Sequence, residues 1–130
     1  MSGINWEAED AKYIWHPAMQ MKDNEVFPPG VIDHAKGCYL YDTHGKAYLD
    51  IISSWWCNLL GHANPEINAA LKQQVDELEH VIFTNFTHKP AIELARRLSE
   101  LLPAGLTKFT FHDNGSSAVE AALKMAFQYQ

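Results

Sequence analysis

The sequence predicts an α/β protein with a small antiparallel element at its front, and three observations predict it. Residues 37–52, GCYLYDTHGKAYLDII, form two aromatic and aliphatic runs around Asp42-Thr43-His44-Gly45, the pattern of a β-hairpin with Gly45 at a positive-φ position. Two later segments, opening at Pro65 and Pro90, carry apolar residues at helical spacing. Finally, the short stretch Leu106-Thr-Lys-Phe-Thr-Phe-His112 gives way within a few polar residues to an Ala-rich run, so period two becomes period 3.6. A strand leading through a polar turn into a helix, in a chain whose other segments are helical, describes an α/β layer rather than a bundle.

Each element has its own signals. Residues 5–15 suit a short helix that ends before Pro17, because the residue preceding a proline is disfavoured in the α region. Pro28, Pro29 and Gly30 mark an irregular stretch before the hairpin. Asn64 is a plausible N-cap, Pro65 suits the first helical position, and Ile67, Ala70, Leu71, Val75 and Leu78 make one apolar stripe in a helix finishing near His80. The next helix carries Ile92, Leu94, Ala95, Leu98, Leu101 and Leu102 before Pro103-Ala104-Gly105 breaks it. A strand over 106–112 and a helix with Ala118, Val119, Ala122, Leu123 and Ala126 on one face follow. KMAFQYQ ends while this helical pattern is still running, with no Gly, Asn or Pro to stop it, so a truncated chain is expected.

Composition excludes several classes. Sixteen Asp and Glu outnumber ten Lys and Arg, for a net charge of −6, and the basic residues form no cluster. A nucleic-acid surface, which neutralises phosphates with several basic side chains, is not expected. No run of about 18 apolar residues is present, so no membrane span is expected either. The acidic N-terminus MSGINWEAEDAKYIW is unlike a signal peptide, which points to a cytoplasmic protein. Cys38 and Cys57 form no CxxC pair and are read as free thiols.

The richest chemistry lies at the changeover Asp113-Asn114-Gly115-Ser116-Ser117. In an α/β sheet, ligands bind beyond the carboxyl ends of the strands, where a helix N-terminus offers free N–H groups and a partial positive charge. Gly115 lets an anion approach the backbone, and the Ser116 and Ser117 hydroxyls can donate to phosphate oxygens. Helix capping by Asn114 and the serines explains the same residues equally well. Neither GxxxxGK[ST] nor GxGxxG is present. His16, His34, His44, His62, His80, His88 and His112 never fall at HxxxH spacing, so structural or solvent-facing roles are expected and no metal site. Trp55 and Trp56 are adjacent, and on extended chain they would point to opposite sides. One then belongs to a core and the other walls a pocket or an interface.

Gly37-Cys-Tyr-Leu-Tyr-Asp42, Gly45-Lys-Ala-Tyr-Leu-Asp50, Gly61-His62 with Asn64-Pro65, and above all Asn114-Gly-Ser-Ser-Ala-Val-Glu-Ala-Ala-Leu-Lys-Met-Ala126 resemble the N-terminal part of a class III pyridoxal-phosphate aminotransferase. Trp15-His16-Pro17, Ser53-Ser54-Trp55-Trp56 and Thr87-His88 with Pro90-Ala-Ile-Glu-Leu94 resemble more narrowly the biotin-pathway branch of that family.

The resemblance implies a fold-type-I transferase, with residues 1–62 in the small domain and residues 63–130 opening the large cofactor-binding α/β domain. It implies a homodimer using pyridoxal 5'-phosphate to convert 8-amino-7-oxononanoate to 7,8-diaminononanoate. S-adenosylmethionine is the default amino donor, and lysine serves some relatives. By position Gly115 and Ser116 match phosphate-binding residues, with Ser117 a further donor, and Trp55 and Trp56 match tryptophans lining the substrate pocket. Ala18 stands where many relatives carry an aromatic residue that shapes that pocket, a departure that leaves donor choice open. The Schiff-base lysine of the family lies beyond the position of Gln130, and Lys124 matches a non-catalytic position, so the chain by itself is expected to be inactive. An aminotransferase acting on ω-amino acids, or a non-catalytic phosphate-binding module, would share the Asn114–Ser117 turn. The former should lack Trp55-Trp56.

Overall fold

The computed structural model describes residues 3–130, which fall into two compact units, the first ending at Glu77 and the second running Leu78–Gln130. This division places the helix after Pro65 with the hairpin, whereas the sequence reading opens its second domain at residue 63.

In the first unit, α1 (Trp6–Tyr13) starts at Asn5, whose side chain accepts the Ala8 N–H at 3.0 Å, and Glu7 and Glu9 complement the positive end of the helix. It ends at Ile14, before Pro17 as the sequence predicts, and His16 Nε2 reaches back to Asp10 at 2.8 Å. A 3-10 turn at Asp23–Glu25 interrupts the irregular stretch.

Three antiparallel strands follow in the order β1 (Ile32–Lys36), β2 (Tyr39–Asp42) and β3 (Ala47–Leu49). The hairpin β2–β3 matches the sequence reading, with Leu40 opposite Tyr48 and Gly45 at φ 81°. Asp42 explains why it closes there. Its Oδ1 accepts the N–H groups of His44 and Lys46 at 3.0 and 2.8 Å, and its Oδ2 accepts the Tyr48 hydroxyl at 2.9 Å. Counted over the whole residue it is 8% exposed, and both of its carboxylate oxygens are hydrogen-bonded. Strand β1 is an addition to the sequence reading. Asp33, His34 and Lys36 dilute its apolar pattern, and pairing with β2 supplies what periodicity does not. His34 faces Tyr41 across the ladder, and their rings stack at 4.7 Å.

The chain then enters α2 (Ser53–Trp56), a single helical turn in which Ser53, Ser54, Trp55 and Trp56 all hold φ between 46° and 67°. The turn is left-handed, so the extended chain expected around the two tryptophans does not occur. Helix α3 (Pro65–Glu77) is capped by Asn64, whose Oδ1 accepts the Glu66 and Ile67 N–H groups at 3.0 and 3.2 Å. It ends three residues before His80.

In the second unit, α4 (Lys89–Leu101) begins at His88, whose Nδ1 accepts the Ala91 N–H, with Pro90 in the first turn. It ends before Pro103 as predicted. Helix α5 (Gly115–Tyr129) opens at Asn114. The strand expected over 106–112 is not formed: among the described residues no ladder includes Leu106–His112. A parallel strand exists only beside its neighbours.

Among the described residues no hydrophobic side chain is buried. Leu71 and Val75 of α3, Leu94 and Leu101 of α4, and Val119 and Leu123 of α5 are exposed. No helix among the described residues is long and apolar enough to cross a membrane.

Candidate functional site

At the start of α5 the two explanations of the polar turn separate. Asn114 is the cap: its Oδ1 accepts the Ser117 N–H at 2.8 Å and its carbonyl accepts the Ala118 N–H at 3.2 Å. The N–H groups of Gly115 and Ser116, and the hydroxyls of Ser116 and Ser117, take no partner among the described residues. A Cβ at Gly115 would meet nothing within 4 Å, so the approach to these donors is open. Four unspent donors stand at the positive end of a helix of 15 residues. Two backbone N–H groups and two hydroxyls that can donate are the chemistry a phosphate monoester requires. Lys124 lies on the same helix and is spent on Glu120, 2.6 Å away.

The first unit holds the tryptophans. Their indoles meet edge to face with centroids 6.0 Å apart, and both are largely exposed, Trp55 at 67% and Trp56 at 75%. Neither is a core residue of this unit. Left-handed helix costs roughly 1–2 kcal/mol per residue for side chains with a Cβ, so four consecutive residues need compensation. The backbone returns part of it through Trp56 N–H to Ile52 O at 2.8 Å and Cys57 N–H to Ser53 O at 3.0 Å.

Asp50 supplies more. Its Oδ1 accepts the Ser54 N–H at 2.9 Å, and its Oδ2 accepts the Ser54 hydroxyl and His62 Nε2, each at 2.7 Å. The Asp50 side chain is only 5% exposed and that of His62 12%. The Ser54 N–H, then the Ser54 hydroxyl, then His62 hold the Asp50 carboxyl at about 2, well below the usual carboxylate range. Asp42 is lowered too, chiefly by the Lys46 N–H. Sequence reasoning missed the Asp50–Ser54–His62 cluster. The Gly61-His62 pair was its one visible signal, and the i to i+4 spacing of Asp50 and Ser54 carries no meaning until the backbone between them is known.

Ala18 lies in an exposed turn at φ 58°. Cys38 and Cys57 are free thiols, as read from the sequence. Histidines pair with carboxylates at His16–Asp10, His34–Asp33, His44–Glu7 and His62–Asp50. No group of three or more His, Cys, Asp or Glu among the described residues is arranged to hold a metal ion.

Residues 20–130 match the class-III aminotransferase family, and the chain belongs to that family. Within it, the chain is 50% identical over 123 residues to the adenosylmethionine-8-amino-7-oxononanoate aminotransferase of Helicobacter pylori, covering 95% of this chain and 28% of that protein. The crystal structure of the enzyme of the same name from Methanocaldococcus jannaschii superposes with a TM-score of 0.89 at 43% identity, over 95% of this chain and 28% of that one. The omega transaminase from Pseudomonas jessenii, solved in complex with PMP, gives a TM-score of 0.85 at 31% identity, over 94% of this chain and 27% of that one. The chain thus spans a little over a quarter of the length of these relatives. Their structures share its fold, a fold-type-I transferase.

Proposed function

We propose that this chain supplies the phosphate anchor and one wall of the substrate pocket in a homodimeric, cytoplasmic aminotransferase of biotin synthesis. The reaction is the transfer of an amino group to 8-amino-7-oxononanoate, giving 7,8-diaminononanoate. The observation that carries the reading is the 50% identity, across 95% of the chain, with a relative named for that reaction.

The geometry supports the parts assigned here. The N–H groups of Gly115 and Ser116 and the hydroxyls of Ser116 and Ser117 would hold the phosphate of pyridoxal 5'-phosphate, a cofactor that supplies the electron sink for carbanion chemistry when bound. Trp55 and Trp56 offer flat apolar faces suited to the alkyl chain of the keto acid. The lysine that carries the amino group exchange is expected from the family outside residues 1–130.

S-adenosylmethionine is the proposed donor, with lysine as the alternative that Ala18 leaves open. The test is to assay the full-length protein with pyridoxal phosphate, 8-amino-7-oxononanoate and each donor, and to quantify 7,8-diaminononanoate. Formation of that product with either donor supports the reading. Turnover confined to ω-amino acids with pyruvate or 2-oxoglutarate overturns it in favour of the transaminases that share this fold at 31% identity.

A further inference from the structure

We propose that Asp50 and His62 are positioning residues that hold the left-handed turn Ser53–Trp56 in the conformation presenting both indoles to the substrate. The inference rests on the reading that Trp55 and Trp56 wall the substrate pocket.

The turn cannot place itself. Four non-glycine residues in succession hold positive φ, a conformation that persists only where its surroundings over-determine it. Two sides of it are fixed by different parts of the sheet. Asp50 is tied to the strand end by its own N–H, which donates to Cys38 O at 2.9 Å. His62 is tied to the β1–β2 turn by a two-way bridge, Gly37 N–H to His62 O at 3.0 Å and His62 N–H to Gly37 O at 2.8 Å. That bridge needs glycine at 61, where φ is +79° and a Cβ would lie 3.0 Å from Gly37 O.

His62 Nε2 and the Ser54 hydroxyl then converge on Oδ2 of Asp50, while Oδ1 takes the Ser54 N–H. Ser54 is the residue immediately before Trp55. The carboxylate therefore fixes the backbone one residue upstream of the first indole and reads its position from the sheet. Rings held edge to face by such a turn form a wall of fixed angle; released from it, the same rings would sample many orientations and lose contact with a ligand.

The experiment compares Asp50→Ala, Asp50→Asn, His62→Gln and Ser54→Ala with Trp55→Ala and Trp56→Ala in the full-length protein loaded with pyridoxal phosphate. The readouts are KM and kcat for 8-amino-7-oxononanoate at saturating donor, with thermal melting alongside. Asp50→Ala should raise KM about tenfold, because three hydrogen bonds to a charged group are lost together. The kcat should change by less than about twofold, the signature of lost binding rather than lost chemistry. Asp50→Asn and His62→Gln, which preserve part of the bonding, should fall between Asp50→Ala and the parent.

A parental KM in Asp50→Ala, with a raised KM in the tryptophan variants, overturns the positioning role and leaves the pocket reading standing. A parental KM in both tryptophan variants overturns the pocket reading and the positioning role with it. Equal falls in kcat and melting temperature across all three Asp50 and His62 variants, without a change in KM, assign the pair to stability alone and also overturn the proposal. Should Asp50→Ala fail to fold, Ser54→Ala removes a single hydroxyl and decides by the same split: a raised KM supports the proposal and an unchanged one overturns it.

Discussion

The side-chain oxygen of Asn114 accepts the backbone N–H of Ser117 at 2.8 Å, so the helix cap and the unspent donors at the start of α5 are different atoms. Capping and anion binding, which explain the sequence Asn114–Ser117 equally well, can therefore be separated by mutation. In the full-length protein, Ser116→Ala should weaken pyridoxal phosphate binding by about one to two orders of magnitude, since a hydrogen bond to a charged group is worth roughly 1.5–3 kcal/mol. Thermal stability without cofactor should hardly move. Asn114→Ala should instead lower stability by about 1 kcal/mol through the lost cap. Cofactor titration and melting of both apo variants check this; a Ser116→Ala protein that melts lower yet binds cofactor normally would make Ser116 a capping residue.

Asp50 gives the protein an acid-sensitive joint. Its folded pKa of about 2 lies below the ordinary value, so its contribution to stability is fully present above about pH 4 and is lost as pH falls from there toward 2. Asp42, lowered in the same direction, adds to that loss. The pH dependence of unfolding between pH 5 and 2 should therefore be shallower in Asp50→Asn than in the parent. Parallel curves for the two proteins would mean that Asp50 is no better solvated by partners in the folded state than in the unfolded one.

Glu93 is also held at about 2, by Arg96 and then Arg97, yet the group is surface-exposed on α4. Exposed ion pairs within one helix are screened by salt and contribute little. Glu93→Gln should leave the melting temperature of the full-length protein within a degree or so at about 0.15 M salt. A larger drop, measured by calorimetry, would show that the Glu93–Arg96–Arg97 group is enclosed in the whole protein.

Ala18 bears on donor choice. The backbone at this position holds φ 58°, and any L side chain with a Cβ meets the same strain there, so Ala18→Tyr adds an aromatic ring and a hydroxyl with little further backbone cost. Installing it should change the ratio of kcat/KM for S-adenosylmethionine and lysine by several-fold, as pockets that pair a hydroxyl discriminate strongly. Steady-state kinetics with both donors decides the matter. An unchanged ratio with both activities retained would place Ala18 outside the donor pocket.

The 130-residue chain alone should be inactive and should bind hydrophobic dyes strongly, because no apolar side chain among its described residues is buried. Mixing it with pyridoxal phosphate, reducing with borohydride and weighing the intact protein should give no stoichiometric adduct. A single saturating adduct at one lysine would locate the amino-carrying lysine within residues 1–130 and revise the assignment.

The capped elements were legible because their signals are local. Asn64 and Asn114, read as caps from the sequence, satisfy N–H groups within a few residues of themselves, and Gly45 and Asp42 close the hairpin from within it, whereas the caps Asn5 and His88 were not read there. Strand β1 was not legible, since Asp33, His34 and Lys36 dilute its apolar pattern and only the pairing with β2 defines it. Leu106–His112 shows the reverse: its residues favour a strand, but a strand requires a partner and no ladder among the described residues includes it. For the candidate site, the polar turn Asn114–Ser117 at the start of α5 could be read from the small polar residues that precede an apolar helical stripe, whereas the left-handed turn could not. Serine and tryptophan have no preference for positive φ, and the groups that enforce it, Asp50 and His62, are 12 residues apart.

The four residues of α2 carry a consequence for attempts to improve the protein by laboratory selection. At each of Ser53, Ser54, Trp55 and Trp56 the backbone already adopts angles that glycine accepts without steric penalty. Screening for heat tolerance alone would therefore favour glycine here, Ser53→Gly first, since the Ser53 side chain makes no hydrogen bond among the described residues. Each further step in that direction would erase a hydroxyl or an indole that the proposed substrate wall depends on. Durability and selectivity pull against each other within one turn of chain, and a selection for the first must assay the second at every round.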